Sequence, residues 1–148
     1  MGLKNFAQAR HVIQFGDNDL NVRGLSANDV TAIIFENKSV VEDVFSVFED
    51  ANLTASNLDD EKLKTFIGNI AIRAPYVVAS IIAHASDEPD EYENAAKLPL
   101  PVQTEALIEI ARLTFNDKAG FERFMGNVKA AVASVKKAGL PLQMTGTR

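Results

Sequence analysis

Three groups of polar residues in this 148-residue chain have types that could do chemistry. Asp17, Asp19 and Asn21 alternate like the opening of a calcium-binding loop. Val22 then stands where such a loop needs glycine, and Asn28 where it needs a bidentate glutamate. The run reads better as a polar hairpin turn. His11 and His84 are far apart and form no metal spacing of the H-x-x-x-H kind. His84 closes an apolar run, where an imidazolium would favour the negative end of a helix. Asp87, Glu88, Asp90, Glu91 and Glu93 could pair as carboxylates. Acid–base work needs environments that split two pKa values, and a solvated loop supplies none. The alternative use of this loop is a docking patch for a basic partner.

No phosphate-cradling, dinucleotide or nucleophile-elbow glycine motif is present. The absence of cysteine removes disulfides, thiolate nucleophiles and Cys-based zinc sites together. The serines fall at helix caps or on helices, with no His-Asp pairing near them in sequence. The expectation is a protein without catalytic, cofactor or metal residues. The formal net charge is -5, and the bases are scattered apart from Lys129, Lys136 and Lys137. That disfavours nucleic acid, whose backbone needs a basic stripe. The most apolar window, Ala74 to Ala85, is too short to span a bilayer. The first residues lack the apolar stretch of a signal peptide. The expectation is a cytoplasmic protein with no membrane partner.

The elements that would carry surfaces are legible from periodicity. At 47% apolar and 24% charged, the chain has a globular composition and the length of one domain, 1–148. His11–Phe15 and Leu20–Val22 are β-prone runs around a Gly-Asp-Asn-Asp turn, which predicts a hairpin over 11–22. Such a hairpin must pack on the helices or pair with another chain. Ser26 with Asp29 forms a capping-box pattern. Ile33, Ile34, Val41, Val44, Phe45 and Phe48 then give an apolar face over 26–51. Asn37-Lys38-Ser39 interrupts it, which leaves one kinked helix or two short ones. Ser56 or Asn57 caps the next helix, striped by Leu63, Phe66, Ile67, Ile70 and Ala71. Pro75 ends it and opens a nearly all-apolar central helix. An acidic loop over 86–93 and an extended stretch over 97–101 follow. Pro101 opens a helix with Val102, Ala106, Leu107, Ile110 and Ala111 on one face. Asn116 or Asp117 caps a last helix carrying Phe121, Phe124, Met125, Val128, Val132 and Val135, closed by Gly139 and Pro141. The fold class predicted is mainly α: a compact bundle of five to six helices over 26–139, an N-terminal β-hairpin, and a loose tail over 142–148.

Two segments carry a family resemblance. One is Leu20-Asn-Val-Arg-Gly-Leu-Ser-Ala-Asn-Asp29. The other is Leu98-Pro-Leu-Pro-Val-Gln-Thr-Glu-Ala-Leu-Ile-Glu-Ile-Ala-Arg-Leu-Thr-Phe115 with Gly120-Phe-Glu-Arg-Phe124. Together they resemble the tail assembly chaperones, or pre-tape-measure proteins, of long-tailed bacteriophages. The resemblance implies a protein that coats the helical tape measure protein and keeps it soluble. It also implies a longer, frameshifted form that contacts the tail tube protein, with self-association left open. Such a chaperone acts in the host cytoplasm and is absent from the finished virion. A groove for amphipathic helices would draw on Leu107, Ile110, Phe121, Phe124 and Val128, with Asp87, Glu88, Asp90 and Glu91 beside it. The same apolar residues are equally good core residues. A virion structural protein, such as a head-tail connector or tail completion component, is the alternative reading.

Overall fold

Gly16 sets the first turn. It adopts φ +60°, a left-handed value open to glycine at no steric cost. Gly16 and Asp17 alone connect strands β1 (Arg10–Phe15) and β2 (Asn18–Arg23). A two-residue loop with glycine first suits the twist of antiparallel strands. The turn is tighter than the sequence predicts: Asn18 and Asp19 pair as strand residues opposite Phe15 and Gln14. His11 faces Val22 and Ile13 faces Leu20, which puts Ile13 and Val22 on one face, both fully buried. Asp19 and Asn21 are exposed on the other. This computed structural model describes residues 2–3, 6–51, 60–115 and, further on, 122–123, 126–127, 129–130 and 133–134. The side chains at 41, 45, 48, 49, 51 and 60 fall outside that set.

Helix α1 (Ala27–Glu36) starts at the predicted capping box. Ser26 Oγ accepts the Asp29 N–H at 3.2 Å, and the Asp29 carboxylate accepts the Ser26 N–H at 2.8 Å. Ser26→Ala is expected to lower stability by about 1 kcal/mol, read as a shift in urea midpoint at unchanged slope. The 26–51 region is two helices. α1 stops at Asn37, whose side-chain amide donates to Ile33 O at 2.8 Å and to Ser80 Oγ at 3.2 Å. Helix α2 (Val41–Ala51) follows, with Val47 buried and Val44 half-buried.

Helix α3 (Asp60–Arg73) buries Leu63, Phe66, Ile67 and Ile70, the stripe expected at spacings of three and four. Pro75 lacks the N–H to continue it and occupies the first turn of α4 (Pro75–Ala85), so the axis bends by 116°. Eight residues of α4 are buried, and it packs against α1, α3 and the helices that follow. An apolar surface on every side leaves it no face for water, which is why it takes the centre. Among the described residues no single helix is long and apolar enough to cross a membrane.

Two sequence boundaries shift. The acidic segment is not an open loop throughout: Pro89–Glu91 form a 3-10 turn and Tyr92 starts helix α5 (Tyr92–Ala96). The 97–101 stretch is shorter than expected: Lys97 still has a helical backbone, Pro99 is extended, and Leu100 already begins helix α6 (Leu100–Thr114). Pro101 falls in the first turn, where its missing N–H has no intrahelical partner to lose. Val102, Ala106, Leu107, Ile108 and Ile110 of α6 are buried. As far as Thr114, the described residues thus form six α-helices and one hairpin. Residues 122, 123, 126, 127, 129, 130, 133 and 134 are helical and exposed. Phe121, Phe124, Met125, Val128, Val132 and Val135, the caps at 56–57 and 116–117, and the 142–148 tail lie outside the described residues.

Candidate functional site

The strongest polar arrangement is built around Arg23, the last residue of β2, which is 7% exposed. Its Nη1 donates to Asp29 Oδ2 at 2.6 Å and to Gly24 O at 2.9 Å. Its Nη2 donates to Asp29 Oδ1 at 3.2 Å and to His84 O at 3.1 Å. Its Nε donates to Asp87 Oδ1 at 3.0 Å. Every nitrogen of the guanidinium fork is therefore engaged. The bidentate pairing uses a geometry that an ammonium cannot offer. The placement also follows from helix ends: Asp29 lies in the first turn of α1, and His84 O belongs to the last turn of α4, each facing charge of the favoured sign.

Asp87 completes the arrangement from an unusual backbone. The Asp87 N–H bonds His84 O at 3.0 Å and the Glu88 N–H bonds Ala83 O at 2.9 Å, closing α4 in a Schellman pattern. The residue at that left-handed position is usually glycine, yet here it is an aspartate at φ +61°. Its carboxylate is paired with both Arg10 and Arg23, and these two face each other across the open end of the hairpin. Two cations directly opposite repel, and one carboxylate between them removes the repulsion and ties the hairpin to the end of α4. His84, buried, places Nε2 at 3.1 and 3.2 Å from the Glu36 oxygens and Nδ1 at 3.9 Å from Asp29 Oδ1. It links the two ends of α1, a role beyond the helix-end effect expected from sequence. His11 lies elsewhere, with Nδ1 at 3.9 Å from Glu109 Oε1.

Burial alone would raise the Asp29 pKa, but the hydrogen bonds from Arg23 and Ser26 outweigh it and hold the carboxyl below its ordinary value. Hydrogen bonds from Arg23 and Arg10 hold Asp87 low against a smaller burial effect. Hydrogen bonding to Asp29, against desolvation, raises the Arg23 guanidinium further. An aspartate with a depressed folded pKa stabilises the fold at every pH above its unfolded value of about 3.9. That stability is lost as pH falls through the folded value. Acid unfolding is therefore expected below about pH 4 with a flat plateau above about pH 5, and Asp87→Asn should make the acid limb shallower in pH-dependent urea melts. Among the described residues no three His, Asp or Glu side chains converge as metal ligands, and this network is fully paired rather than poised for a substrate.

The open surface lies on the other side. A groove of about 520 Å³ runs along α6 beside α3, lined by Lys64, Leu100, Pro101, Thr104, Glu105, Ile108, Glu109 and Arg112. Arg112 Nη1 donates to Glu109 Oε2 at 2.5 Å. Leu100 is 61% exposed at the groove's end. Elsewhere Tyr76 and Tyr92, both exposed, meet edge to face with ring centres 6.5 Å apart.

The expected contact residues are divided by this geometry. Leu107 and Ile110 belong to the core, at 8% and 2% exposure, and offer nothing to a partner in this conformation. Their neighbour Ile108 is a core residue too, although it also lines the groove. Phe121, Phe124 and Val128 lie outside the described residues. Asp87 is committed to the two arginines, and Glu91 accepts from Asn94 Nδ2 at 2.5 Å. Glu88 and Asp90 remain exposed, so the acidic patch is thinner than its sequence suggests. Sequence reasoning missed Arg23, Glu36 and the role of Asp87. One signal was available: a helix ending in Ala85-Ser86-Asp87 without glycine implies a side chain worth a strained backbone.

A family model described as pre-tape measure protein matches residues 1–144. No curated protein matches, and no solved structure matches.

Proposed function

This chain belongs to the pre-tape measure protein family, and from that premise we propose that it is a bacteriophage tail assembly chaperone. It binds the tape measure protein, keeps it soluble, and brings tail tube subunits to it. The observation that carries this reading is the family match, which spans all but the last four residues. The physical character of the chain agrees. A chaperone for long amphipathic helices needs an apolar groove on a rigid, well-charged scaffold, and the α6–α3 groove and the Arg23 network have those characters. The work is binding rather than catalysis, carried out in the host cytoplasm. Contact with the tail tube protein belongs to a longer, frameshifted form.

Co-expression with the tape measure protein tests the reading. The expected result is a soluble complex that survives size exclusion, against insoluble tape measure protein when it is expressed alone. A tape measure protein that stays insoluble and uncomplexed would overturn it. Mass spectrometry of purified particles separates the alternative: a head-tail connector or tail completion component stays in the virion, whereas the chaperone is absent.

A further inference from the structure

Resting on that reading, we propose that the groove between α6 and α3 seats a single amphipathic helix of the tape measure protein. Leu100, Thr104, Ile108 and Arg112 recur every four residues along one side of α6. Twelve residues of rise make the groove about 18 Å long, enough for slightly more than three turns of a second helix. Ridges at four-residue spacing are the surface into which another helix packs. Its exposed apolar surface is Leu100 and Pro101, with the core residue Ile108 also in the lining.

The charges select the occupant. Arg112 and Glu109 pair with each other within α6. Glu105 of α6 and Lys64 of α3 have no partner among the described residues, and they carry opposite signs on the two helices that form the groove. The complementary helix has an apolar stripe, bases on the side that meets α6 and acids on the side that meets α3. A helix with acids on both flanks would meet Glu105 as a like charge, and a strand would leave the four-residue spacing unmatched. Apolar area supplies the attraction, and the two charges fix polarity and register.

The test uses the full chain co-expressed with full-length tape measure protein, with complex yield and titrated affinity as readouts. Thr104→Arg puts a long charged side chain in the groove and is expected to weaken binding at least about tenfold, while melting within a few degrees of wild type. Glu105→Lys is expected to weaken binding by a smaller factor and to restore it toward a tape measure variant with acids in place of the facing bases. Lys38→Glu, exposed in the turn between α1 and α2, should leave binding unchanged. Should Thr104→Arg fail to fold, Leu100→Asp makes the same test, because a carboxylate suits the first turn of a helix. Wild-type affinity in the folded groove variants would overturn the groove and leave the chaperone reading standing, as would an equal loss in Lys38→Glu. A groove variant that converts a wild-type dimer to monomer without losing tape measure binding would identify a self-association face and overturn it likewise. Failure of the wild-type chain to bind would overturn both.

Discussion

Replacing Arg23 with methionine is expected to cost about 3–5 kcal/mol, the range for removing one member of a buried ion pair, and to lower Tm by roughly 10 °C or more. Methionine nearly preserves the volume of the stem, so the loss is electrostatic rather than a cavity. Asp29 would remain buried with the Ser26 hydrogen bonds and His84 Nδ1 at 3.9 Å in place of a guanidinium. Asp87 would keep only Arg10, and His84 O in the last turn of α4 would lose its charged donor and keep the Asp87 N–H. The hairpin would lose its attachment at the open end, though Ile13 and Val22 would still hold its inner face. Adding Asp29→Asn is expected to recover part of the loss, because a neutral amide can still cap α1 without needing a cation. The two changes should thus be non-additive by about 1 kcal/mol or more. Salt gives a second readout. The buried Arg23–Asp29 pair is screened little, whereas the exposed Arg10–Asp87 pair is screened at high ionic strength. The Arg23→Met deficit should therefore persist in 1 M NaCl, a concentration at which the Debye length is only about 3 Å. A deficit below about 1 kcal/mol, or strict additivity with Asp29→Asn, would show that the network does not hold the hairpin to the helices.

That network marks the boundary of what the sequence discloses. Periodicity found α3, α4 and α6 because the apolar positions of a helix repeat every three or four residues, and burial follows the repeat. Ser26 and Asp29 are legible because a capping box is local, spanning four residues. Arg23 and Asp87 are 64 residues apart, and nothing local distinguishes a buried arginine from a solvated one. In sequence Asp87 is one carboxylate of an acidic run, since composition cannot show that two arginines face it. The groove was half legible. Its residues interleave along α6 with the core ones: the helix gives Leu107, Ile108 and Ile110 to the core and Leu100, Pro101 and Thr104 to the groove, with Ile108 in the lining as well. An apolar stripe on a helix wider than one face leaves that choice to the neighbouring helix. The family resemblance rests on Leu20–Asp29 and on Leu98–Phe115 with Gly120–Phe124, and the first two of these stretches contain Arg23, Asp29 and most of the groove wall. The match over 1–144 supports the resemblance, although neither segment showed from sequence alone which residues meet.

Gly24→Ala is expected to destabilise the chain by about 2–3 kcal/mol, the upper part of the range for overpacking. Gly24 follows Arg23 and carries the chain from the hairpin across the end of α6. A Cβ placed there would lie 2.8 Å from Leu113 O and 2.9 Å from Leu113 C, with Thr114 N at 3.1 Å. These are backbone atoms of a helix, so no rotamer change can relieve the contact. One of two fixed points must move. On one side the Leu25 N–H donates to Thr114 Oγ1 at 2.9 Å, and that hydroxyl donates to Ile110 O at 2.6 Å. On the other, Gly24 O accepts from Arg23 Nη1. A shift away from α6 strains the ion network, and a shift that spares the network breaks the Leu25–Thr114 bond. This coupling separates the prediction from a purely conformational effect of glycine, which would stabilise the chain by reducing unfolded-state freedom where the backbone allows alanine. Leu113→Ala should not rescue Gly24→Ala, since the clash is with main-chain atoms. Shortening the contact chain by Thr114→Ser should leave the Gly24→Ala deficit in place, because serine keeps the hydroxyl. Hydrogen exchange would localise the loss to amides of the hairpin and the last turn of α6. Protection unchanged at Leu25, or a Gly24→Ala variant as stable as wild type, would show that α6 and the hairpin approach less closely than this geometry requires.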